Sequence, residues 1–170
     1  MIMTVMEAIE ARKSIRAYSD RPIEAEKLEK VLEAGRMAPS ANNQQAWKFV
    51  VVTDAALREK LVDACSGQKF VGEAPAVLVG CADNQREMRC GQPARTVDCS
   101  IALSFMMLEA AEQGLGTCWL GAFYADAVRE LLKVPAEYAI VAVTPLGYPA
   151  ADGNPRSRKS MDEVVVRDHF

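Results

Sequence analysis

At 170 residues the chain is long enough for one core, because a domain of this size buries roughly 70% of its unfolded surface. Half of its residues are hydrophobic and a quarter charged, which excludes a disordered or fibrous chain. The net charge of −3 and a pI near 5.3 argue against a nucleic-acid binder, which needs a broad basic face, but leave small anions open as ligands.

In chain order, MIMTVMEAIE lacks the basic start and long apolar run of a signal peptide, so a cytoplasmic address is the expectation. Val5, Met6 and Ile9 share one helical face, and a short helix is predicted to end near Lys13. After Arg21-Pro22, the spacing of Leu28, Val31 and Leu32 predicts a helix through Ala34, stopped by Gly35. A polar loop, PSANNQQ, follows. WKFVVVT, residues 47–53, reads as a buried strand. Asp54 can cap a helix whose inward positions are Leu57, Leu61 and Val62. PAVLVGCA, residues 75–82, is a second buried strand, and the polar segment 83–92 leads into a long helix from about Ala94 to Gln113. Its centre, IALSFMML, is apolar on every side, which predicts burial all round: within the fold, or under a partner subunit. The run CSIALSFMML is too short to span a bilayer. GLGTCWLG reads as a turn and a short extended piece. A helix with Val128, Leu131 and Leu132 inward is predicted to end at Pro135, and YAIVAVTPLGYP supplies another buried strand. The closing Val164-Val165-Val166 reads as an edge strand. No repeat or linker divides the sequence, so the expectation is a single α+β domain over 1–170.

The chemistry is constrained by what is scarce. The one histidine, His169, is the penultimate residue, so mechanisms built on a histidine base are improbable and a bound organic cofactor is the economical way to do difficult chemistry. The five cysteines form no CxxC pair; the nine-residue spacing of Cys81, Cys90 and Cys99 lacks the close pairs of a zinc site, and reduced, mostly buried thiols are expected. No GxxxxGK[ST] loop occurs, and Gly114, Gly116 and Gly121 do not match GxGxxG. Phosphate recognition would therefore rest on side chains. Arg12, Ser14 and Arg16, with Arg156 and Arg158 far away in sequence, offer forked donors and a hydroxyl, the preferred chemistry for a phosphate monoester. On charge alone, solvated loop cations are the better explanation of these residues.

The order of segments carries more. RKSIRAY near the start, APSANNQQAWKFVVV, a long apolar helix ending in GLGTCWLG, then LGYP and a late RSRK together resemble the nitroreductase family of FMN-dependent oxidoreductases, over about residues 5–166. The resemblance implies a central, mostly antiparallel sheet flanked by helices, and a homodimer with FMN at the subunit interface. It implies that Arg12, Lys13 and Ser14 hold the phosphate and ribityl end, that Arg16 lies at the pyrimidine edge, and that Arg156 and Arg158 return to the phosphate. It also implies that Pro39, Ser40, Ala41 and Asn43 complete the neighbouring subunit's site, with Gln45 and Trp47 as supports. The backbone of Trp119, Leu120, Gly121 and Ala122 would pass near flavin N5, and Gln68 would meet the flavin edge. No side chain is assigned as an obligatory catalytic acid or base and no metal is implied. NADH or NADPH would be the reductant, and a small molecule such as a nitroaromatic or quinone the acceptor. A relative specialised for one metabolite or for flavin itself, or a non-catalytic flavin-binding redox sensor using its cysteines, are the alternatives. The sequence departs from the family pattern at Ala46 and Ser160, where proline is frequent, and at Lys13, where arginine or histidine is frequent. It is also short for the helical material that covers the substrate side in larger members, and the 83–92 loop is a candidate for the entrance.

Overall fold

The computed structural model describes residues 3–83, 85–154 and 157–170. Its sheet has four strands, β1 (Trp47–Val52), β2 (Ala76–Ala82), β3 (Gly116–Thr117) and β4 (Ala139–Gly147), in the order β1-β2-β4-β3 with every neighbour antiparallel. Helices cover both faces, which explains why β2 is an unbroken buried run. Ala76, Leu78 and Ala82 of β2 turn toward one cluster, with Val31 of α2 (Ala25–Arg36) and Leu103 and Met106 of α5 (Ala94–Glu112). Val77, Val79 and Cys81 turn the opposite way, against Leu61 of α3 (Ala55–Ala64), Val71 of α4 (Phe70–Glu73) and Val128 of α6 (Ala125–Leu132). This is the period-two alternation of a strand with a core on each side. The first helix, α1 (Val5–Ala11), packs on α5, and a last short helix, α7 (Met161–Val164), lies in the tail.

Local signals explain several boundaries. Thr4 and Glu7 form a reciprocal capping box at α1. The Asp54 carboxylate accepts the Leu57 N–H at 2.8 Å, so this cap starts α3 as expected.

At other places the structure departs from the expectations. The first helix ends at Ala11, two residues before Lys13, because Arg12 is already extended. Gly35 does not stop α2, which runs on to Arg36; the glycine is buried, and a Cβ there would lie 2.2 Å from Cε of Met106. It is a close approach between helices, not a terminator. Within the single chain the centre of α5 is not buried all round, since Ser104 is exposed and the Phe105 ring is 41% exposed, which leaves the alternative of cover by a partner subunit. The helix before Pro135 ends at Leu132, where Lys133 adopts a left-handed conformation with φ 54°. Val164-Val165-Val166 forms no edge strand. Ser160 and Glu163 make a second capping box that winds 161–164 into one turn, after which Val165 and Val166 stand exposed. Among the described residues no helix is long and apolar enough to cross a membrane.

Candidate functional site

The basic segment leaves α1 as an extended strip sewn between two others. Ile15 N–H donates to the Thr117 carbonyl (2.9 Å) and Ser14 pairs with Thr117 in parallel; further on, Ser19 N–H donates to Tyr148 O and Ala150 N–H to Ala17 O, both at 2.9 Å. Ile15 and Tyr18 are the apolar anchors. The Tyr18 hydroxyl donates to the Ile15 carbonyl (2.9 Å) and lies 3.3 Å from that of Pro145, and burial pushes its pKa well above the ordinary phenol value.

Two glycines let the strips approach. A Cβ at Gly116 would fall 2.5 Å from Ile15 Cγ1, and one at Gly153 would fall 2.9 Å from Lys13 Cβ and 3.1 Å from Ile15 Cδ1. Lys13 and Ile15 therefore pack against Gly153, and Arg12 lies beside Lys13 on one hollow. Gly153 brings the residue just before the basic tail against the first basic motif. A hollow of about 170 Å³ lies here, lined by Arg12, Lys13, Gly116, Thr117 and Asp152 among others. Among the described residues, the side-chain ion pairs are Arg21–Glu24, Lys30–Glu26 and Arg36–Glu33, so none involves Arg12, Lys13 or Arg16.

The chain from β3 to α6 forms a second part. Leu120 exchanges backbone hydrogen bonds with Val143 at 2.9 and 3.3 Å, which ties it to β4. Trp119, Gly121 and Ala122 are exposed, and a Cβ on Gly121 would meet nothing within 4 Å. The Gln68 side-chain amide donates to Cys65 O (2.9 Å) and to Ala122 O (3.2 Å), while Tyr124 N–H donates to Ala64 O (2.8 Å). A backbone held from both sides yet open to solvent can present its N–H groups to a flat ligand.

The PSANNQQ loop is anchored separately. Asn42, Asn43 and Gln45 are left-handed, with φ between 51° and 55°. Gln45 supports the loop as expected: its N–H donates to Ser40 Oγ (2.9 Å) and its side-chain amide reaches Asn43 Oδ1 (3.1 Å). Trp47 is buried in the core and stacks with Phe49 at 6.2 Å. Ala41 N–H donates to Oδ1 of Asp98 in α5 at 3.1 Å. Sequence reasoning missed Asp98, although an acid amid the apolar residues of α5 was the available signal. Pro39 and Asn43 are exposed, Ser40 and Ala41 half-buried.

Arg158 is exposed and donates to Ser157 O at 3.1 Å, while Arg156 lies outside the described residues. Within the 83–92 segment, residues 87–93 close on themselves, with Glu87 bridged to Pro93 and Gly91 left-handed at φ 79°. Cys65, Cys81, Cys99 and Cys118 are buried and Cys90 is exposed. Burial raises the Cys65 and Cys81 thiols to about 11 and Cys99 to about 12, so these three stay protonated at neutral pH.

A profile described as "Nitroreductase family" matches residues 9–93 and 64–148. An NADH dehydrogenase from Thermus thermophilus is 35% identical over 187 residues, covering 91% of each chain. Among solved structures, an FMN-dependent nitroreductase from Clostridium difficile superposes with a TM-score of 0.82 at 30% identity, covering 97% of this chain and 99% of that one. The NADPH:FMN oxidoreductase from Vibrio harveyi, complexed with NAD+, gives a TM-score of 0.89 at 28% identity, covering 98% of this chain and 77% of that one.

Proposed function

The chain belongs to the nitroreductase family, and from that premise we propose that it is an FMN-dependent NAD(P)H oxidoreductase, working as a single-domain homodimer with a flavin site at each end of the subunit junction. The observation that carries this reading lies at Gly153: a strip with three cations that form no ion pair among the described residues packs against the residue that precedes a second basic segment. Three cations within five residues repel one another unless an anion or water separates them, and a phosphate monoester is that anion. The residues fit the cofactor in shape as well. The strip carries two arginines, a lysine and a hydroxyl within five residues, and the backbone at Gly121 is open where a planar ring needs room.

The chemistry FMN supplies is acceptance of a hydride from NADH or NADPH at N5 and delivery of the electrons to a second substrate, a nitroaromatic or quinone, in alternation. The chain supplies position and charge. Arg12, Lys13 and Ser14 bind the phosphate and ribityl end, joined by Arg156 and Arg158 from the tail. Arg16 sets a cation against the pyrimidine edge, where it stabilises negative charge on the reduced ring. The backbone of Trp119, Leu120, Gly121 and Ala122 would pass beside N5, where the Leu120 N–H is already held by the Val143 carbonyl and the exposed neighbours on either side of it would be the donors, and Gln68, whose amide holds the Ala122 carbonyl, would meet the ring edge. Pro39, Ser40, Ala41 and Asn43 reach the site of the other subunit. Exposed apolar surface on α1, with Val5 74% and Met6 61% exposed, on Phe105 and along the tail at Met161 and Val164–Val166 is what a second copy would cover. The burial and raised thiol pKa values of Cys65, Cys81 and Cys99 weigh against a thiol sensor.

Purified protein is expected to be yellow, and anaerobic NADH or NADPH to bleach the flavin at one equivalent per site. A yellow protein that neither nicotinamide reduces would overturn the enzyme reading. Removing one charge-assisted contact of about 1.5–3 kcal/mol by Arg12→Ala should weaken FMN binding by about ten- to a hundredfold. Lys60→Ala, on the exposed face of α3, is the control; equal retention by both variants removes the phosphate role of Arg12.

A further inference from the structure

Asp98 is the anomaly of α5. It lies in the second turn beside buried Ala94, Cys99 and Ala102, and only 5% of its surface is exposed. Its Oδ1 accepts the Ala41 N–H, while its Oδ2 is buried with no hydrogen-bond partner. A buried carboxylate with one donor is costly, and an apolar side chain would pack there without that cost. A polar acceptor at this position is explained by what it holds. The loop beyond Ala41 contains three left-handed residues that are not glycine, and such backbone persists only where its surroundings over-determine it. The Ser40–Gln45 and Gln45–Asn43 hydrogen bonds are internal to the loop. The Asp98 bond is different in kind, because it ties the start of the loop to a nineteen-residue helix in the core.

We infer that Asp98 is a positioning residue: through the Ala41 N–H it fixes Ser40 and Ala41 at the place where they meet the flavin of the neighbouring subunit. This rests on the reading above. Because Oδ2 has no donor to lose, Asp98→Asn keeps the one hydrogen bond and removes only the buried charge. Asp98→Ala removes the bond. Ala41→Pro removes the donor and leaves Asp98 in place; the site tolerates proline, since Ala41 is the first residue of a 3-10 turn and Ser40 before it is extended at φ −143°, ψ 159°.

The test measures FMN dissociation constants of the full-length variants by flavin fluorescence quenching, with the melting temperature of each apoprotein alongside. Asp98→Ala and Ala41→Pro should each weaken FMN binding by at least about tenfold, while Asp98→Asn stays within about threefold of wild type. A merely structural role would lower the melting temperature of Asp98→Ala and leave the affinity of its folded protein unchanged. The inference is overturned if Asp98→Ala binds FMN within about threefold of wild type, or if Asp98→Asn is as weak as Asp98→Ala. If Asp98→Ala does not fold, Ala41→Pro decides alone. A folded wild type that takes up no FMN overturns both this inference and the cofactor reading; a wild type that binds FMN beside an unaffected Asp98→Ala overturns this inference only.

Discussion

The Tyr148 hydroxyl donates to Glu24 at 2.6 Å and accepts from Lys27 at 2.8 Å, and the Arg21 guanidinium, itself 2.6 Å from Glu24, lies 3.9 Å over the Tyr148 ring. Since the Tyr148 carbonyl also receives Ser19 N–H, this group fixes the point where the basic strip leaves the site. The Tyr148 hydroxyl is the largest cause holding the Glu24 carboxyl down to about 2 from an ordinary 4.5. A depressed carboxyl contributes stability that is present above its unfolded pKa and is lost as pH falls through the folded value. Tyr148→Phe should therefore melt below wild type at neutral pH, and the gap should close as pH drops from about 4.5 toward 2. Thermal melts at stepped pH check this; a gap that is constant with pH would mean that the hydroxyl acts by packing alone. The cysteines give a second residue-scale prediction. With Cys90 exposed and the others buried, native protein should react with a thiol reagent at one site per chain and unfolded protein at five. Rapid native reaction of Cys81 or Cys99 would revive the sensor reading.

At the scale of the element, what was legible in the sequence was what local chemistry determines. The Asp54 cap, the apolar run of β2 and the periodicity of α2 each depend on neighbours within one or two turns, and each lies where the sequence placed it. The misreadings share one cause, a partner far along the chain. Gly35 reads locally as a stop and is in fact the gap into which Met106 fits, and the Phe105 face of α5 is left uncovered by its own protomer. The tail is the opposite case: the Ser160–Glu163 capping box was a local signal, outvoted by three consecutive valines. α4 has only four residues, too few to show a period. The close approach at Gly35 makes a direct prediction. Gly35→Ala forces a methyl against Met106, which is buried and cannot swing into solvent, and overpacking of this kind costs about 1–3 kcal/mol. Urea unfolding should show a lower midpoint at unchanged slope; a midpoint at or above that of wild type would mean that the α2–α5 contact relaxes freely.

For the whole molecule, the sheet order decides whether one chain can build the site. The loop of Ser40 and Ala41 feeds β1 at one edge, whereas the strip of Arg12 and Ser14 pairs with Thr117 beyond β3 at the other. Four strand spacings of about 4.8 Å, roughly 19 Å in all, separate them across the sheet. Sequence reading placed these segments in one site through resemblance and could not see the separation, because strand order is a property of the folded sheet. In the proposed homodimer a second copy would bring the loop of one chain to the strip of the other, and a two-fold axis would do so twice. Mixing subunits tests this arrangement. Homodimers of Arg12→Ala and of Ala41→Pro should each be deficient in FMN and in NAD(P)H oxidation. After unfolding and refolding together in equal amounts, half of the dimers carry one chain of each kind. If the sites are shared, one site of such a hybrid joins both defects and the other is intact, so the mixture should regain about a quarter of wild-type activity. If each site is built within one chain, every site in the hybrid keeps a defect and no activity returns. Recovery near a quarter, with flavin content rising in parallel, is the outcome that this sheet topology requires of a shared site.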